Sequence, residues 1–174
     1  MVAVKQAIID SVSPEYAERT ALRNGSSYPQ IWKILDQVYD PELPGLSLWD
    51  LGVLQSIEQK EDTWEIGITL TYSGCPAVEC MQLDIISVMR QAGYSNVKVK
   101  ILVSPIWSSE MMSPQGRAHL KSIQIVPPNP QQLVSCPICD SHNTKVISEF
   151  GSTACKALYQ CLDCQEAFDY FKSF

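Results

Sequence analysis

The sequence predicts an α+β fold, a small mixed sheet of three or so strands with helices on one face, followed by a C-terminal zinc ribbon. Three observations lead there. Over residues 28–126, apolar residues recur at helical spacing in some segments and at every second position in others. The run Pro127-Pro128-Asn129-Pro130 then breaks the pattern, because proline fixes φ and gives up a backbone donor. Beyond it stand two Cys-x-x-Cys pairs, Cys136/Cys139 and Cys161/Cys164.

The elements follow in chain order. Residues 1–27 are polar, end in the breaker cluster Arg23-Asn24-Gly25-Ser26-Ser27, and read as an N-terminal extension able to stay disordered. Ile31, Ile34, Leu35 and Val38 form a helical stripe. It stops before Asp40-Pro41-Glu42-Leu43-Pro44-Gly45, which its prolines force into an extended or turned loop. A short strand is expected over Val53–Ile57, and a second where Trp64, Ile66, Ile68 and Leu70 alternate with polar or small residues. After Ser73-Gly74-Cys75-Pro76, the proline suits a first helical turn. Val78, Met81, Ile85 and Val88 continue that helix to a cap near Gly93. Val97, Val99, Ile101 and Val103 give a third strand, and Ser113-Pro114 starts a last short helix through about Ser122. The order is α-β-β-α-β-α over 28–126, with a linker at 127–134 and the ribbon at 135–174.

With 45% hydrophobic and 18% charged residues, the 174-residue chain is globular. No apolar run approaches the roughly 20 residues a membrane helix needs, and Met1–Ser13 lacks a secretory leader's basic and apolar segments. A cytoplasmic protein is expected, in a compartment that keeps thiols reduced, so seven cysteines point to metal or reactivity rather than disulfides. A net charge of -6 without a basic block argues against nucleic acid as partner, because that affinity comes largely from Lys and Arg on phosphate.

Each Cys-x-x-Cys pair makes a tight turn that aims two sulfurs at one ion, and two pairs supply the tetrahedral thiolates that suit zinc. A single iron takes the same ligand set. The intervening residues have room for strands around Lys145–Phe150 and Ala157–Gln160, with a third at Glu166–Phe171. About 40 residues is too few for an unaided core, so the metal would contribute most of the folding free energy. Cys155 and His142 are not needed as ligands once four cysteines close the site. Phe168 and Tyr170 alternate on one face and are expected in the ribbon core; Phe171 and Phe174 are open. The ribbon's own charge of -2 suits a docking surface better than a nucleic-acid reader.

Cys75 sits where a strand ends and a helix begins. Helix-start N–H groups and the macrodipole favour an anion there and should lower the thiol pKa. Such a thiolate could bind a soft metal, hold a cluster or attack an electrophile; a small packed cysteine is the bland alternative. Cys80, five residues on, faces elsewhere and reads as a bystander. Asp40 and Glu42 are acidic groups in a proline-fixed loop and read as solvated turn residues. His119 reads as a surface residue. With His119 and His142 the only histidines, no hydrolytic triad is visible, and no phosphate-binding loop occurs.

Asp40-Pro41-Glu42-Leu43-Pro44, Asp50-Leu51-Gly52-Val53 and Thr69-Leu70-Thr71-Tyr72-Ser73-Gly74-Cys75-Pro76 resemble the MIP18 (DUF59) family of iron–sulfur assembly domains. Further stretches resemble the PaaD (PaaJ) family of phenylacetate degradation. They are Ser104-Pro105-Ile106-Trp107, Gly116-Arg117-Ala118-His119-Leu120, Ile125-Val126-Pro127-Pro128, the run from Ser148 to Tyr159, and Phe168-Asp169-Tyr170-Phe171-Lys172. That resemblance implies an accessory protein rather than an enzyme. Its task would be maturing the iron–sulfur cluster of the phenylacetyl-CoA monooxygenase, the ring 1,2-epoxidase, with the ferredoxin-containing reductase component as partner. It maps Cys75 onto the family's reactive cysteine, Asp40 and Glu42 onto its acidic loop, and Cys136, Cys139, Cys161 and Cys164 onto structural zinc. Cys75 would hold iron or a cluster transiently, across a homodimer, since one thiol cannot supply a cluster's four ligands. Cys80 departs from the family pattern. The alternative is a non-catalytic structural subunit of the oxygenase complex. A thioester enzyme with Cys75 as nucleophile would lack an obvious base.

Overall fold

The computed structural model describes residues 12–72, 74–129 and 134–173. Helix α1 (Pro14–Asn24) precedes α2 (Pro29–Leu35) and the short α3 (Leu48–Leu51). Strands β1 (Leu54–Lys60) and β2 (Thr63–Ile68) form an antiparallel hairpin, and α4 (Val78–Gln91) carries the chain across to β3 (Val97–Ile101), parallel to β2. The sheet order β1-β2-β3 makes β2 central, and its Ile66 and Ile68 are fully buried. Met81, Ile85 and Met89 form the buried stripe of α4, with Val78 and Val88 only partly covered. The mixed sheet and its helical cover are those expected from the periodicity.

The segment 40–53 folds around the Asp50 carboxylate. Ser47 caps α3 by accepting the Asp50 N–H, and its hydroxyl donates to Asp50 Oδ2 at 2.7 Å. Gly52 ends α3 at φ 89, the left-handed region where a side chain is strained. The N-cap of α5 (Pro114–Ser122), Ser113, donates its N–H to the Asp50 carbonyl at 2.9 Å. A Cβ on Gly116 would stand 2.7 Å from that same oxygen, so glycine lets α5 close on α3.

Residues 14–24 of the N-terminal extension are helical, not disordered, while residues 1–11 lie outside those described. The signal that sequence reading lacked is Arg19, which is 5% exposed. Its guanidinium donates to the carbonyls of Trp49 at 3.0 Å, Leu54 at 2.9 Å and Met111, and sits over the Trp49 ring. Burial lowers its pKa to about 10, still far above neutrality.

The second sheet has the order β4-β7-β6-β5, from β4 (Ile125–Val126), β5 (Thr144–Ser148), β6 (Lys156–Cys161) and β7 (Ala167–Phe171). Its edge strand β4 comes from before the proline run and pairs parallel with β7. Phe168 and Tyr170 join Val134, Cys136 and Cys161 in a ribbon core. Phe171 points the other way. It is fully buried in the main hydrophobic core, its ring 6.0 Å from that of Trp107. The ribbon is therefore packed onto the first domain through shared apolar side chains. Phe174 lies outside the described residues.

Candidate metal centre and thiol site

The turn after β6 and the turn before β5 bring four sulfurs together. The Sγ atoms of Cys136, Cys139, Cys161 and Cys164 all lie within 4.8 Å of one another. Cys136 and Cys164 are 3.6 Å apart, as are Cys139 and Cys161. Sulfurs bound tetrahedrally at ~2.3 Å from one ion would stand about 3.8 Å apart, so the spacing fits zinc. Backbone N–H groups also point at the sulfurs, from Ile138 to Cys136 Sγ at 3.4 Å and from Cys164 to Cys161 Sγ at 3.5 Å. The latter bond leads the causes that lower the Cys161 pKa to about 7. His142 stays out of the cluster, with Nδ1 3.1 Å from the Ser135 hydroxyl.

Cys155 is absent from that cluster because it faces the other domain. It is 4% exposed and belongs to the main core, against which Cys75 packs. Cys75, Asp40, Glu42 and Cys155 form one electrostatic neighbourhood, since both carboxylates raise the pKa of each thiol and Cys155 raises that of Cys75. Tyr72 feels all four. The sequence placed Cys75, Asp40 and Glu42 together only by resemblance; Cys155, 80 residues on, carried no local sign of joining them.

The Cys75 thiol is half-buried, and its pKa is raised rather than lowered. Burial is the first cause, and Glu42 and Asp40 add to it. The expected helix-start effect is weak because α4 begins at Val78, two residues later than Pro76 suggested, leaving only the Ala77 N–H to favour the thiolate. Ser73 lies outside the described residues.

Asp40 is not a solvated turn residue. It is 7% exposed, and its Oδ1 accepts the Glu42 N–H at 2.8 Å, tightening the loop. Burial raises its pKa. Glu42 remains partly exposed. His119, expected at the surface, is half-buried and donates Nε2–H to the Pro44 carbonyl at 2.8 Å, fastening the far side of the loop. Cys80 is exposed, near Asp84.

Fold and site define the class of protein: an iron–sulfur cluster assembly domain of DUF59 type that carries a zinc ribbon. Residues 29–103 match the family described as iron–sulfur cluster assembly protein, and residues 111–172 match the PaaD zinc beta ribbon domain. The chain belongs to the PaaD family. It is 44% identical over 150 residues to a putative subunit of the 1,2-phenylacetyl-CoA epoxidase of Escherichia coli, covering 82% of this chain and 91% of that one. Among solved structures, the Bacillus anthracis domain of unknown function DUF59 is 26% identical, with a TM-score of 0.49, covering 60% of this chain and 95% of that chain. A conserved hypothetical protein of Thermotoga maritima is 27% identical, with a TM-score of 0.45, covering 53% of this chain and 92% of that one. Among the described residues, no helix is long and apolar enough to cross a membrane.

Proposed function

We propose that this protein delivers or inserts an iron–sulfur cluster into the phenylacetyl-CoA monooxygenase, the ring 1,2-epoxidase of aerobic phenylacetate degradation, without itself catalysing oxygenation. One observation carries the reading: a partly exposed thiol, Cys75, lies within the electrostatic reach of Glu42 and Asp40 on a loop pinned from both sides. A thiol held above its ordinary pKa is protonated at rest, and a metal replaces its proton only when metal is offered. That suits brief custody better than permanent ligation. Asp40 and Glu42 would orient the thiol and assist ligand exchange, the one displaced proton passing to the partly exposed Glu42 carboxylate. Structural zinc on the ribbon quartet would hold the ribbon's shape.

The proposed client is the ferredoxin-containing reductase component. Cells carrying Cys75→Ala should make folded protein but leave that component with reduced iron and sulfide, and epoxidase turnover should fall in step. Normal cluster occupancy and turnover in that strain would exclude the delivery role. The second reading, a structural part of the oxygenase complex, is favoured by the Escherichia coli relative's being named as one of the epoxidase's subunits. Stable, stoichiometric co-purification with the oxygenase would support it, and passing, substoichiometric association would support delivery.

A further inference from the structure

The sulfurs of the ribbon quartet come from two turns far apart in sequence, one holding Cys136 and Cys139 and the other Cys161 and Cys164. Ligands from separate turns keep their places only if something outside the sulfurs holds the turns in register. Strand pairing supplies part of this, since β5 runs antiparallel to β6 with Thr144 opposite Cys161. Past the end of that ladder, side-chain contacts take over and converge on Asp163. Its Oδ2 accepts the Ser141 hydroxyl at 2.5 Å, and its Oδ1 accepts the Asn143 side-chain amide at 2.7 Å. Both donors are wired into the turns through the backbone. The Ser141 carbonyl accepts the Cys136 N–H at 2.8 Å, and the Ser141 hydroxyl accepts the Asn143 N–H at 3.0 Å. The Asn143 carbonyl accepts the N–H of Leu162 at 2.8 Å, next to Asp163 in the second turn. The bonds close a ring through Ser141, Asp163, Leu162 and Asn143, with Cys136 tied to it.

Asp163 stands between Cys161 and Cys164 in the chain, beside a centre that is already anionic when metallated, because four thiolates outweigh the two charges of one zinc ion. Coulomb repulsion alone disfavours a carboxylate there. Two hydrogen bonds to a charged acceptor offset that repulsion. His142, which lies between the two donors in sequence, turns instead to the Ser135 hydroxyl and takes no part. We propose that Asp163 is a positioning residue for the ribbon metal: its carboxylate clamps the Cys136–Cys139 turn to the Cys161–Cys164 turn, holding the sulfurs at zinc-binding spacing and slowing the ion's escape. Both oxygens are engaged by Ser141 and Asn143, so Asp163 acts through the turns and not as a further ligand. Ligands set in place beforehand lose less freedom when the ion binds, and one sulfur that lets go stays close enough to rebind. The inference rests on zinc at the quartet and is independent of the delivery function.

The test is the rate of zinc release from the full-length, zinc-loaded protein to excess 4-(2-pyridylazo)resorcinol, read from the colour of the chelate. Asp163→Ala should release zinc roughly tenfold faster than wild type, the usual scale for losing a support outside the ligand shell. Asp163→Asn removes the charge but keeps an oxygen for the Asn143 amide and gains an N–H that the Ser141 hydroxyl can accept. It should therefore stay within about threefold of wild type. Ser141→Ala should speed release less than Asp163→Ala does, and combining the two should add little, because they share one bond. Wild-type rates in Asp163→Ala and Ser141→Ala would overturn the clamp. Release from Asp163→Asn as fast as from Asp163→Ala would overturn it too, by assigning the effect to charge. If Asp163→Ala purifies without zinc, the Ser141→Ala rate and the retention of zinc by Asp163→Asn decide in its place. Wild-type protein purified with no zinc at all would remove the zinc reading itself, an outcome distinct from failure of the clamp.

Discussion

Asp40 is a carboxylate kept under cover, and its burial sets a sign that can be checked. Because burial raises its pKa in the folded state, the folded protein binds this proton more tightly than the unfolded chain does. Asp40 therefore stabilises the fold relatively at low pH, and that contribution is lost as pH rises through the folded pKa. Asp40→Asn keeps an oxygen to accept the Glu42 N–H and removes the charge. Its urea midpoint should exceed wild type at pH 7, and the gain should vanish in acid below the ordinary aspartate pKa. Equal midpoints at pH 7 would show that Asp40 carries no such cost. Cys75 obeys the same local field. Removing one of these charges with Glu42→Gln should lower the thiol pKa and speed iodoacetamide alkylation at pH 7.5 in a Cys80→Ser background. An unchanged rate would mean that the carboxylate does not act on the sulfur.

At the scale of elements, two side chains hold the site's supports together. Arg19 ties α1 to three carbonyls of α3, β1 and the turn before α5. Arg19→Met would fill much of the space but leave those acceptors bare, at a cost of about 2–4 kcal/mol in urea unfolding. Phe171 does the same for the ribbon. Phe171→Ala should cost about 3–5 kcal/mol, the usual penalty for emptying a buried aromatic site. It should also loosen Cys155, whose carbonyl accepts from the next residue, Lys172. A loss below 1 kcal/mol would show that the ribbon is only lightly seated.

Across the whole molecule, metal and fold are coupled because the ribbon shares its apolar contacts with the assembly domain. Chelation should unfold the ribbon, withdraw Phe171 from beside Trp107, and lower the melting temperature of the assembly domain together with the tryptophan emission. Acid should act in the same direction, since protons compete with the metal for the thiolates. An assembly domain that melts unchanged after zinc removal would refute this coupling.

The α+β class, the hairpin and crossover strands, the α4 stripe and the four-thiol centre were legible in the sequence, because each depends on spacing within a short stretch. The site was legible only in pieces. Local pattern put Cys75 at a helix start and predicted an acidic thiol; three-dimensional burial and two carboxylates within electrostatic reach reversed that sign. Polar α1 showed no apolar stripe because a buried arginine anchors it. Cys155 looked like a spare ribbon thiol because periodicity within β6 and β7 cannot say which face meets another domain. Short-range order is written in residue spacing, whereas pKa and domain docking come from surroundings that exist only once the chain has closed on itself.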